Sequence, residues 1–174
     1  MKTVVFYFIA VTLALTARAY AAPAANLTDA EIAKAMVTIN EGEIDAAKIA
    51  KDKTKNKEIE SFAKMMIDDH KNNEKETKAI AKNHKLEMKD TDFSRGLKNE
   101  AKTSNKDLKK TEKTSFDSAY VAQQIKMHET ALSTIDNTFL PQAKNGDLKN
   151  HLQKTREAVA SHLEHAKRLQ SSLQ

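Results

Sequence analysis

TDAEIAKAMVTINEGEIDAAKIAKD, residues 28–52, decides the class of fold. Thr28-Asp29-Ala30-Glu31 has the form of a capping box, in which a threonine hydroxyl and a glutamate three residues on satisfy the free amides of a helix start. At about 100° per residue, Ile32, Met36, Ile39, Ala46, Ala47 and Ala50 then share one face, and Glu43 falls in its middle. The spacing predicts an amphipathic helix from about Asp29 to Asp52. The same reading predicts a second helix from about Lys55 to His84 and a shorter polar one between Phe93 and Glu112. A further long helix, capped by Ser115, runs through Phe139, where Pro141 helps end it. After an Asn145-Gly146-Asp147 turn, a last helix runs from about Asp147 to Leu169. Four long amphipathic helices with short joints, plus one short helix, make an all-α four-helix bundle the expected architecture.

Composition agrees. Of 174 residues, 40% are hydrophobic, 30% charged and 5% aromatic, with only 3 Gly and 2 Pro, which disfavours turn-rich β folds. The absence of Cys excludes disulfides, iron–sulfur clusters, thiolate zinc sites and cysteine nucleophiles. Gly42, Gly96 and Gly146 are too far apart to form a phosphate loop. The serines lie in caps and polar stretches rather than at a nucleophile turn, and no carboxylate pair for glycoside cleavage shares a face. An enzyme is the less favoured reading.

The chain begins with a basic Met1-Lys2, the apolar run from Val4 to Ala17, and Ala19-Tyr20-Ala21, small residues where a signal peptidase reads. The run is too short for a transmembrane helix, which takes roughly 20 residues. The expected division is therefore a signal peptide over residues 1–21, a disordered stretch over 22–27, and a helical domain over 28–174. Export to the periplasm or the medium follows, with no transmembrane anchor and, without cysteine, no lipid anchor. The mature chain carries 27 basic and 24 acidic residues. Its lysines cluster at Lys48, Lys51, Lys53, Lys55 and Lys57 and again from Lys98 to Lys113. They read first as a solvated helix surface, and second as a means of weak association with anionic envelope surfaces or an acidic polymer. With one Tyr (Tyr120) and three Arg in the mature chain, nucleic-acid binding is not expected.

The test for chemistry is which polar residues sit on the apolar stripes. In the second helix Ile59, Phe62, Ala63, Met66, Ile80 and Ala81 form the stripe, with His70 near its centre, Asn73 and Thr77 beside it and Asp69 on its flank. Val121, Ile125, Leu132, Ile135 and Phe139 place His128 at the centre of the next stripe. Leu148, Leu152, Val159, Leu163, Ala166 and Leu169 put His162 at the edge of the last, with His165 farther out. Each long helix thus offers one ionisable group to the interior: Glu43, His70, His128 and His162. An unpaired buried one would cost several kcal/mol, so each needs a partner. If the helices bring them to one level, three imidazoles and a carboxylate suit Zn, Fe, Mn or Cu, with Asp69 orienting His70. The alternative is a structural or stress-protective envelope protein whose polar core only fixes helix register.

Asn40 to His70, NEGEIDAAKIAKDKTKNKEIESFAKMMIDDH, resembles the first helical hairpin of an exported family of unknown function. Its members are ferritin-like helical bundles often labelled putative outer-membrane protein. Phe116-Asp117-Ser118-Ala119-Tyr120 and His162-Leu163-Glu164-His165-Ala166 are similar to two further elements of that family, so the likeness covers nearly the whole mature chain. It implies a ferritin-like fold and functional positions at Glu43, Asp69, His70, His128 and His162. Two departures stand out: Met127 precedes His128 where the family usually has Asp, and Glu157-Ala158 replace a Leu-Pro. Ferritin-like resemblance does not carry di-iron chemistry with it, because the chain contains no Glu-x-x-His pair.

Overall fold

A computed structural model describes residues 26–173, whose regular structure is all helical. The expected signal peptide lies outside the described residues. Five helices of 19 residues or more carry the structure: α1 (Asp29–Lys53), α2 (Lys57–Asn83), α3 (Asp92–Lys110), α4 (Phe116–Thr134) and, after the short α5 (Leu140–Gln142), α6 (Gly146–Ser172). A single π turn, Ile135–Phe139, joins α4 to α5. No described helix is long and apolar enough to cross a membrane.

The starts follow local chemistry. Thr28 and Glu31 form the expected capping box. The Asn56 side chain accepts from the amides of Glu58 and Ile59, and the Asn145 side chain accepts from that of Leu148. Ser115 does not cap α4. Its φ of −110° and ψ of 1° keep it in a tight turn, where its hydroxyl donates to the Glu112 carbonyl instead of accepting from the helix. Pro141 does not stop its helix either: it sits inside α5, and the chain turns extended only at Ala143. The π turn precedes it, with the Leu140 amide donating to the Ile135 carbonyl.

α1 packs most extensively on α2, and α4 on α6; α2 meets α6, and α1 meets α4 more sparsely. Two apolar clusters result. One gathers Ala47, Phe62, Met66, Phe116, Tyr120 and Leu169, and the other gathers Leu27, Ile32, Met36, Ile135, Phe139, Leu148 and Leu152. Leu27, at the end of the stretch expected to be disordered, is buried, and its amide donates to Gln142 Oε1. Between the clusters lies a layer of buried polar side chains drawn from α1, α2, α4 and α6: Asn40, Glu43, His70, Gln124, His128, Thr155 and His162.

α3 lies outside this arrangement, mainly against α1, and buries only Ser94, Asn105 and Leu108. Gly42 permits the approach, since a Cβ there would stand 2.8 Å from Ala101 Cβ. Asn105 Nδ2 donates to the Gly42 carbonyl at 3.0 Å, and Gln123 of α4 donates to Ser104 and Asn105. Lys53 is tied into the same region: its ammonium donates to the carbonyls of Lys109 and Thr111 and lies 5.0 Å from the Phe116 ring centre. It is therefore not a free member of the lysine cluster.

Gly42→Ala should be net destabilising. The gain in helix propensity, about 1 kcal/mol, is opposed by an overpacking penalty of about 1–3 kcal/mol. Urea melts of the single variants and of Gly42→Ala with Ala101→Gly test this. The Gly42→Ala change should cost less in the Ala101→Gly background, and independent, additive effects would refute the contact.

Candidate metal centre

His70, His128 and His162 converge at the polar layer. Their ring centroids are 5.9 Å (His70–His128), 5.6 Å (His70–His162) and 5.5 Å (His128–His162) apart. One nitrogen from each lies within 4.8 Å of those of the other two, and all three residues are buried. The periodicity placed each ring inward, and packing brings them to one level.

Each ring is held by its other nitrogen. His128 Nδ1 donates to the Gln124 carbonyl at 2.8 Å, one turn back on the same helix. His70 Nδ1 lies 2.8 Å from Asn40 Oδ1. The Asn40 amide is oriented by its own donors, since Nδ2 donates to the Met36 carbonyl and to Asn73 Oδ1, so Oδ1 must accept from His70. Asn73 continues the chain by donating to Thr155, whose hydroxyl donates to the His151 carbonyl. His162 Nε2 donates to Asp69 Oδ2 at 2.9 Å. These partners fix the tautomers, and the remaining nitrogens, His70 Nε2, His128 Nε2 and His162 Nδ1, are buried without a hydrogen-bond partner.

Burial also keeps the rings neutral. It pushes His128 down to about 4 and His70 well below the ordinary imidazole value, with the neighbouring imidazoles adding to the effect at His70. His162 is lowered as well, by burial, against the opposing pull of its hydrogen bond to Asp69. The three free lone pairs are therefore available at neutral pH, the state a metal requires.

The carboxylates are placed differently from expectation. Asp69 was expected to orient His70, but it orients His162. Adjacent residues on a helix point about 100° apart, and that offset carries the Asp69 carboxylate to His162 of α6. Glu43 lines a small cavity that borders the three rings, yet it lies against the Nδ1 side of His128, with Oε1 3.8 Å from that nitrogen, while its Oε2 accepts from Gln124 Nε2 at 3.1 Å. Burial pushes the Glu43 carboxyl up to about 7, against the lowering effect of the Gln124 amide.

Sequence reasoning missed Asn40, Gln124 and Thr155. Gln124 stands four residues before His128 and Asn40 three before Glu43, so helical spacing from the ionisable residues would have found both. Tyr120, another buried polar side chain, packs edge-on to Phe62. The other histidines stand apart: His151 contacts Thr77 and Glu76, His84 pairs with Asp147 at the surface, and His165 packs edge-on against Phe62. Met127 lines a separate groove of about 750 Å³ between α3 and α4, so a carboxylate at that position would belong to the groove and not to the imidazole cluster.

A family model described as "Domain of unknown function (DUF4142)" matches residues 14–169. The chain belongs to this family. No curated protein and no solved structure matches it. Membership in DUF4142 assigns no reaction, so the chemistry of this member rests on the site itself.

The buried Glu43 gives a pH signature in the metal-free protein. Its folded pKa, about 7, lies above the ordinary 4.5, so its contribution is fully present below pH 4.5 and is lost as pH rises through 7. The three histidines act in the opposite sense: their contribution is present above the ordinary 6.5 and is lost as pH falls. Glu43→Gln mimics the protonated acid. In urea melts it should match the parent near pH 5 and be more stable by up to about 3 kcal/mol at pH 8. Equal stability at both pH values would show that Glu43 is not buried in the way described.

Proposed function

We propose that this protein is an exported, non-enzymatic four-helix bundle of ferritin-like type that binds one transition-metal ion through His70, His128 and His162. Asp69 serves as the carboxylate that orients His162, and Glu43 lies against His128 as a nearby negative charge. The observation that carries the reading is the set of three buried imidazole nitrogens, each without a partner, on rings whose opposite nitrogens are all held. A buried unsatisfied polar atom costs about 1–3 kcal/mol. Three together would take up much of a domain's net stability of about 5–15 kcal/mol. A network serving only helix register would have its nitrogens satisfied.

A His-held orienting group is the usual support of a metal-binding imidazole. Three imidazoles without a converging carboxylate favour zinc, copper or iron(II) over manganese, which prefers oxygen donors. Export rests on residues 1–21, read from the sequence.

Two measurements test the reading. Elemental analysis of untagged protein, exported by its own signal, should find about one metal per chain, and His70→Ala with His128→Ala should remove it. Added metal at a hundredfold excess over Kd should stabilise the chelator-treated parent by about 2.7 kcal/mol, a rise of several degrees in Tm. Milder His70→Asn guards against a variant that fails to fold. Stability indifferent to chelator and to Zn, Cu, Mn and anaerobic Fe(II) would refute the metal reading and leave water as the nitrogens' partner. Separately, N-terminal sequencing of protein recovered from the envelope or medium should begin at or next to Ala22. An intact Met1 in that fraction would refute cleavage.

A further inference from the structure

The tripod supplies three donors, and a first-row divalent ion takes four or more ligands. Both nearby carboxylates are turned away from the centre. Asp69 holds Nε2 of His162, the nitrogen opposite the free Nδ1. Glu43 lies beside Nδ1 of His128, on the ring side opposite the free Nε2, and its second oxygen accepts from Gln124. Among the described residues, only the three imidazoles form the converging donor group.

Space faces that group. A cavity of about 60 Å³ borders the three rings; Met36, Ala131, Ile135 and Val159 supply apolar wall, and Asn40, Glu43, Asp69, Asn73 and Thr155, each already engaged in a hydrogen bond, also line it. One water needs roughly 10–15 Å³ by the same measure, so the cavity holds about four. It admits water, hydroxide or a small anion such as a linear triatomic one. Neutral imidazoles leave the charge of a divalent ion uncompensated by its own donors, which favours an anion over a neutral molecule of equal size.

We propose that a metal held by His70, His128 and His162 keeps one exchangeable coordination position, opening into this cavity, where it binds water or a small monodentate anion. The inference rests on the metal reading above and gives that site a ligand class. The position is formed by the geometry of the rings: the orienting groups lock the imidazoles from behind, and neither carboxylate of the lining joins the converging donors.

Cobalt(II) is a suitable probe, because its visible bands report both occupancy and the fourth ligand. The chelator-treated protein is titrated with cobalt(II), and the saturated form is then titrated with azide. Cobalt should saturate at one per chain, and azide should shift the bands along a single-site curve. Ala131→Leu, which fills the cavity, should retain the cobalt bands and lose the azide shift, with circular dichroism confirming its fold. Full cobalt bands that azide does not move would overturn the open position while leaving the metal site standing. A spectrum altered by Glu43→Gln would then identify Glu43 as the fourth ligand. An unchanged azide response in folded Ala131→Leu would overturn the cavity assignment. Absence of cobalt bands would overturn this inference together with the metal reading.

Discussion

The structure turns on one constraint: a layer of polar side chains is buried between two apolar clusters, and every polar atom in it needs a partner. Apolar packing alone would let four such helices slide by a turn, since one alanine or isoleucine contact resembles the next. The layer removes that freedom. Asn40 bridges α1 to α2, Asn73 bridges α2 to α6, Asp69 and His162 join α2 to α6 again, and Gln124 ties α4 to Glu43 of α1. Each bond is directional, and a one-turn slip, about 5.4 Å, would break them together. What remains unpaired after these bonds is confined to a few atoms, the three converging nitrogens foremost among them. Helix register and the candidate site therefore have the same origin.

Much of this was legible in the sequence because helical periodicity is a local property. Ile32, Met36 and Ala47 define a face without reference to any other helix, and the same holds for the stripes that carry His70, His128 and His162. The capping box at Thr28 is equally local. The errors arose where a residue's role depends on what faces it. Asp69 is sequence neighbour to His70 but spatial partner to His162, and only the packing of α2 against α6 decides this. Ser115 carries the right side chain for a cap, yet the turn before it sets the wrong backbone angles. Neutral Asn40 and Gln124 gave no charge to flag them, although they hold three of the four ionisable groups, His70, Glu43 and His128, in place.

α3 shows a different balance. Its exposed, polar sequence leaves little to bury, and it is held by a close backbone approach at Gly42 and a few side-chain bonds. Its separation from α4 creates the large groove that Met127 lines. The groove and the smaller cavity share Ile39, Glu43 and Ala131 as a common wall, so Glu43 is the one ionisable group that borders both spaces.

The three rings are not anchored alike. Asn40 and the Gln124 carbonyl hold His70 and His128 from within the protein, whereas the Asp69 side chain that holds His162 is 49% exposed. Two legs of the tripod are thus rigid and shielded, and the third ends in water. Ionic strength screens exposed charges and leaves buried dipoles almost untouched, so the solvent acts on the site through that single leg. The α2–α6 seam is therefore the side on which the hydrogen bonds of the imidazole cluster reach solvent.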